Sequence, residues 1–137
     1  MPVEKPPPST RSLRLLVQPG DYSMCRIQEP RQMPPLRFGE DTFFAMVRTA
    51  DELSVICPED EVREGTHAEH GWRVLQLDGV FAFTEVGVLA ALLQPLAQAG
   101  VGILAASTFN TDYVLVKGDQ LQAAIQALRD SGYTVLD

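Results

Sequence analysis

Two regimes of hydrophobic patterning divide the chain. Up to Pro58, apolar residues come in short runs between prolines, and nothing repeats at helical spacing. Ser12-Leu13-Arg14-Leu15-Leu16-Val17, closed by Pro19-Gly20, predicts a strand and its turn. Residues 22–27 alternate loosely and predict a second strand, while 29–39, with Pro30, Pro34 and Pro35, are expected to be irregular. Phe43-Phe44-Ala45-Met46-Val47 and Leu53-Ser54-Val55-Ile56-Cys57 predict two more strands. Thr49 with Asp51 and Glu52 predicts one short helical turn between them, and Pro58 stops the last strand.

Residues 59–70 are acidic and aperiodic, which predicts a connector. Beyond it the pattern sharpens. Residues 72–77 predict a strand broken by Asp78-Gly79. Leu89, Leu92, Leu93 and Leu96 then recur at i, i+3, i+4 and i+7, one face of a helix. Thr84 is its expected N-cap, Glu85 sits in the expected first turn, Pro95 should bend or loosen the last turn, and Gly100 is the expected C-terminal cap. Strands follow at 103–107 and 113–116. The apolar run Tyr113-Val114-Leu115-Val116 predicts cover on both faces. Leu121, Ala124, Ile125 and Leu128 repeat the helical spacing, with Arg129 near the end and Gly132 beyond, and 133–136 predict a closing strand.

From Trp72 onward the order is β-α-β-β-α-β. This is an α+β, ferredoxin-like arrangement: four antiparallel strands with two helices on one face. The expected divisions are a Pro-rich disordered tail at 1–11, a strand-rich first lobe at 12–58, a connector at 59–70 and the βαββαβ domain at 71–137. The first lobe has four strands and no long helix, as expected of a degenerate copy of the same unit.

Composition narrows the function. The 137 residues carry a net charge of −7, distributed as +3 over 1–39, −7 over 40–69 and −3 over 70–137. Phosphate binding needs clustered Lys and Arg, so neither nucleic acid nor an anionic membrane surface is an expected partner. No apolar run approaches the roughly 20 residues of a membrane span. The basic start lacks an apolar h-region, contains Glu4 and fits no secretory signal, so a cytoplasmic location is expected. Cys25 and Cys57 lie far apart without metal-ligand spacing and are expected to be buried free thiols.

Catalytic constellations are scarce. The chain has no GxSxG, phosphate loop, HExxH or dinucleotide fingerprint. His67 and His70 would chelate a metal only on a helix, and their segment has no helical pattern, so neither metal nor cofactor is expected. Nothing nominates a base beside Ser23 or Cys25, and no catalytic residue is assigned. Two polar stretches remain. Thr84-Glu85-Val86-Gly87-Val88 opens the first helix, where backbone N–H groups suit an anion, Gly87 permits close approach and Glu85 attracts a cation. Thr108-Phe109-Asn110-Thr111-Asp112 joins two strands, and Asp112 there either bonds the turn or faces a ligand cation.

These stretches also carry a resemblance. Glu85-Val86-Gly87-Val88, then Pro95-Leu96-Ala97, then residues 107–116 resemble the CASTOR-type ACT domain proteins in their small bacterial form. Phe43-Phe44, Asp51-Glu52-Leu53-Ser54-Val55 and Cys57-Pro58-Glu59 resemble their N-terminal part, so the similarity spans about residues 12–136. It implies a ferredoxin-like ACT domain preceded by a degenerate, strand-rich ACT-like half. It also implies a regulatory module that binds an amino acid and catalyses nothing. In the animal arginine sensors of this family the ligand lies between an earlier and a later ACT module. Residue by residue, the resemblance points to Ser54, Val55, Glu85, Gly87, Val88, Thr108, Phe109 and Asp112 as ligand-binding residues. Two acids favour a cationic amino acid; a homodimer or a regulated protein is the further partner expected. This chain holds two ACT-like units where the animal sensors have four, so arginine specificity does not transfer directly. The competing expectation is a protein–protein association module that uses the open edges of its sheet and takes no ligand.

Overall fold

A computed structural model describes residues 13–82 and 84–137; the expected tail and Ser12 lie outside them. In chain order the strands are β1 Arg14–Val17, β2 Tyr22–Arg26, β3 Ala45–Arg48, β4 Leu53–Pro58, β5 His67–Leu77, β6 Ile103–Ser107, β7 Asp112–Lys117 and β8 Thr134–Leu136. The helices are α1 Val88–Gln98 and α2 Leu121–Asp130. The chain divides into two units, Pro19–Val74 and the residues up to Gln18 together with Leu75–Asp137, and β5 has residues in both.

In the unit Pro19–Val74, antiparallel pairing gives the order β3-β4-β2-β5. Cys25, Ile27, Val55 and Cys57 form its core, with Met33, Phe44, Leu53, Val62 and Ala68 packed around them. The described helical turns of this unit are 3-10 turns at Pro30–Gln32 and Glu59–Glu61. The turn expected to be helical after Thr49 is instead a hairpin turn. The Thr49 hydroxyl accepts from the amides of Asp51 and Glu52 at 3.2 and 3.1 Å, and its N–H donates to the Glu52 carbonyl at 2.9 Å. A threonine oxygen that takes up these amides closes the chain on itself before a helix starts.

The expected connector is also shorter than its span. Residues 67–70 are strand, with Arg26↔His67, Cys25↔Ala68 and Met24↔Glu69 in register. Their pattern hid this, because Ala68 alone joins the core while His67, Glu69 and His70 are exposed. The register shifts between Tyr22 and Met24, so that His70 and Gly71 oppose the single residue Ser23. Gly71 supplies the φ of +81° that this bulge requires.

The second unit corrects the expected topology. Its strands run β6-β7-β5-β1-β8, five rather than four. β1, placed by its position in the first lobe, pairs antiparallel with β5 (Leu15↔Leu77) and parallel with β8 (Leu15↔Val135). Burial explains the placement. Leu13 and Leu15 belong to the same core as Leu75, Leu77, Val114, Val116 and Val135, into which α1 and α2 also pack. The expected helical faces are observed: Leu92 and Leu96 are fully buried, Leu89 and Leu93 pack against the core, and Leu121, Ala124, Ile125 and Leu128 are buried. Val114, Leu115 and Val116 are all fully buried, as a run covered on both faces should be.

Pro95 has a specific consequence. Without an N–H it cannot bond the Ala91 carbonyl one turn back, and the Tyr133 hydroxyl donates to that carbonyl at 3.1 Å. Helix α1 ends with the Gly100 N–H on the Ala97 carbonyl (3.0 Å) and the Val101 N–H on the Leu96 carbonyl (2.9 Å). Helix α2 repeats the arrangement: Gly132 N–H reaches Arg129, and Tyr133 N–H reaches Leu128.

Candidate ligand-binding site

A cleft of about 380 Å³ opens in the second unit between the segment leading into α1 and the β6–β7 turn. Glu85, Gly87, Val88, Thr108, Phe109 and Asp112, expected as site residues from two distant stretches, all line it, together with Phe81, Ala82, Leu89, Ala90, Ser107, Asn110 and Thr111. Its walls are tied together. The Phe81 N–H donates to the Asn110 carbonyl at 2.8 Å, and the buried Thr111 hydroxyl donates to the Leu77 carbonyl at 2.7 Å. Among the described lining residues there are two carboxylates, Glu85 and Asp112, and no basic side chain.

The helical wall differs from the sequence expectation. Thr84 is not the N-cap of α1, and Glu85 is not in its first turn: the helix begins at Val88, and Gly87 caps it with φ +80°, ψ 8°. An L side chain is strained at that φ, so glycine fits where the chain swings from the loop into the helix. The Glu85 N–H instead closes a turn onto the Ala82 carbonyl at 2.9 Å. Gly87 brings no side chain to the cap, and Gly87, Val88, Leu89 and Ala90, the residues of the helix start, all line the cleft. The first amides of a helix lack intrahelical partners and carry partial positive charge, which suits a carboxylate.

The opposite wall is the β6–β7 turn, for which two roles of Asp112 were expected. The turn is closed by Thr108: its N–H and hydroxyl both donate to the Thr111 carbonyl (2.8 and 3.1 Å), and its oxygen accepts from the Thr111 N–H at 3.2 Å. Asp112 instead accepts at Oδ1 from the Ser107 hydroxyl, 2.5 Å away. Asp112 thus bonds across the hairpin end and also lines the cleft. Phe109, which lines the cleft, is 81% exposed, and Val86, next to Glu85 in the chain, is 80% exposed.

Ser54 and Val55 lie on β4 of the other unit. The Val55 side chain is fully buried among Cys25, Ile27 and Cys57, and the Ser54 hydroxyl donates to Glu52 at 3.0 Å. Both residues pair with β2 on one side and β3 on the other.

That unit also holds a cluster not visible in the sequence. The fully buried Ser23 hydroxyl lies 2.7 Å from His70 Nδ1, and Glu59 Oε1 lies 3.5 Å from the same nitrogen while accepting from the Gly71 N–H at 2.9 Å. A nucleophilic triad needs hydroxyl and acid on opposite ring nitrogens. Here both address Nδ1, and the cluster fastens the bulge. The bulge itself brings these residues together, and only its glycine marks it in the sequence. Cys25 and Cys57 are buried and free. The Cys57 thiol donates to Cys25, which raises Cys57 and lowers Cys25 from the ordinary thiol value; burial pushes Cys57 further up. Among the described residues no group of three or more His, Cys, Asp or Glu is placed to hold a metal, and no helix is long and apolar enough to cross a membrane.

The βαββαβ order with both helices packed into one core places the second unit in the ferredoxin-like class. Residues 67–130, just under half of the chain, match the family model of the ACT domain, and the fold is that of an ACT domain. A second model, described as an N-terminal domain, matches residues 20–65. The human protein named cytosolic arginine sensor for mTORC1 subunit 1 is 30% identical over 97 residues, 64% of this chain and 29% of the relative. Its Bos taurus counterpart is 36% identical over 59 residues, covering 42% and 18%. The chain thus spans under a third of the length of these curated relatives. Among solved structures, a protein from Agrobacterium tumefaciens superposes with a TM-score of 0.82 at 30% identity, over 93% of this chain and 94% of that one. The regulatory subunit of aspartate kinase from Thermus thermophilus, in its ligand-free form, superposes at 0.60 with 12% identity, over 85% and 95%, and shares the fold.

Proposed function

We propose that this protein is a regulatory module that binds an amino acid in the cleft between α1 and the β6–β7 turn and has no catalysis of its own. The observation that carries the reading is the division of labour at that turn. Thr108 makes the turn's hydrogen bonds, and the Asp112 carboxylate lines a cleft whose described residues include a second acid and no basic side chain. An amino acid carries both charges, and the cleft offers a partner for each. Its carboxylate meets the amides of Gly87 and Val88 at the start of α1, and its cationic groups meet Glu85 and Asp112. The excess of acid favours a cationic amino acid, with Phe109 packing on its aliphatic stem. Thr108 lines the same wall. Ser54 and Val55 stay assigned by resemblance alone, and the reading does not require them. The relatives named as cytosolic arginine sensors support both the ligand class and a cytoplasmic location.

Titration calorimetry with L-arginine, L-lysine, L-leucine and L-glutamate tests the reading. Saturable binding of a cationic amino acid, lost in Asp112→Asn with the fold intact, is expected. Absence of binding by all four at millimolar concentration contradicts it. The exposed Phe109 and Val86 favour one competing reading, an association module that takes no ligand. That reading expects no amino-acid binding and a self-association weakened by Phe109→Ser.

A further inference from the structure

Ser107 and Asp112 are the terminal register pair of β6 and β7, directly opposite across the hairpin. Side chains in such a pair point to the same face with Cβ atoms about 4.5–5.5 Å apart, so a serine reaches an aspartate without extending either. The Ser107 hydroxyl spends its single proton on Asp112 Oδ1 at 2.5 Å, and both residues line the cleft.

We infer that Ser107 is a positioning residue, which fixes the Asp112 carboxylate for the ligand's cationic group; the inference rests on the proposed function. A short carboxylate turns about two side-chain bonds, and a donor on Oδ1 restrains that rotation and leaves Oδ2 for a ligand. The choice of donor matters. A lysine or arginine opposite Asp112 would orient it and also cancel its charge. A serine hydroxyl orients it and leaves the full negative charge for the ligand. The turn between them carries its own hydrogen bonds from Thr108, to which this side-chain bond is an addition. What the hydrogen bond supplies is preorganisation, which lowers the ordering cost of binding.

The test measures L-arginine and L-lysine binding by calorimetry in the wild type, Ser107→Ala, Ser107→Thr, Asp112→Asn and the Ser107→Ala/Asp112→Asn double variant, with ligand-free melting temperatures alongside. Ser107→Ala is expected to weaken binding of the bound cation about 3–10-fold, the ordering cost of one side chain, with little change in the ligand-free melting temperature because the bond is exposed and water replaces the hydroxyl. Ser107→Thr keeps the hydroxyl and is expected to bind within about threefold of wild type. The double variant is expected to be no worse than Asp112→Asn, since Ser107 acts through Asp112. Wild-type affinity in Ser107→Ala, beside loss in Asp112→Asn, overturns the inference and leaves the ligand-binding reading standing. A fall in the ligand-free melting temperature of Ser107→Ala matching its loss of affinity also overturns it, because the role is then structural. Failure of the wild type to bind either cation overturns the reading and the inference together.

Discussion

At the scale of single residues, Pro95 and Tyr133 act as one feature although 38 positions separate them. The proline deletes the hydrogen bond to the Ala91 carbonyl, and the Tyr133 hydroxyl replaces it inside the core. Tyr133→Phe leaves that buried carbonyl unpaired and is expected to cost about 1–3 kcal/mol in chemical denaturation. The Pro95→Ala/Tyr133→Phe pair should cost less than Tyr133→Phe alone, since replacing the proline restores the N–H and with it the helical bond. The sequence predicted that Pro95 would loosen the helix but held no sign of the compensating tyrosine, which lies in another element. Asp112 was legible in a similar, partial way. Its place beside a strand was plain, but the sequence held no sign that Thr108 makes the hydrogen bonds of the turn itself.

Among the elements, the helices were read most faithfully, since 3.6-residue periodicity survives any arrangement of neighbours. Their ends were read unevenly. Gly100 and Gly132 stop α1 and α2 where expected, but α1 starts later than a Thr84 cap implies. Thr-Glu before an apolar run is a good local signal, yet the segment uses Glu85 to close a turn on Ala82, and Gly87 redirects the chain. The two starts differ in consequence. Thr84→Ala is expected to change stability by less than about 0.5 kcal/mol, whereas an N-cap threonine would cost about 1 kcal/mol, as urea denaturation can distinguish. Gly87→Ala forces a Cβ into the left-handed region and is expected to cost about 1–2 kcal/mol. The opening of β5 was missed for a different reason: its exposed polar residues erase the alternation that marks a strand.

For the whole chain, the least legible feature is the destination of β1. Local pattern identified the strand observed at Arg14–Val17, but a pairing partner more than a hundred residues away leaves no mark on it. Leu15 is fully buried in the core of the unit that holds α1 and α2. Leu15→Ala is therefore expected to lower stability by about 2–5 kcal/mol and to weaken amide protection in β5 and β8, its two partners, when hydrogen exchange is followed strand by strand. The residues expected at a site from Glu85 to Asp112 line one cleft because they all belong to this one unit.

The most direct measurement is a thermal melt of the purified chain with and without L-arginine and L-lysine, in wild type and Asp112→Asn. A ligand at 100 times its dissociation constant stabilises the native state by about 2.7 kcal/mol, on the order of 5–15 °C for a chain of this size. Such a rise is expected for at least one of the two cations in the wild type and none in Asp112→Asn, whose ligand-free melting temperature stays the same or increases. Flat melts in the wild type, or a shift that survives Asp112→Asn, would contradict it.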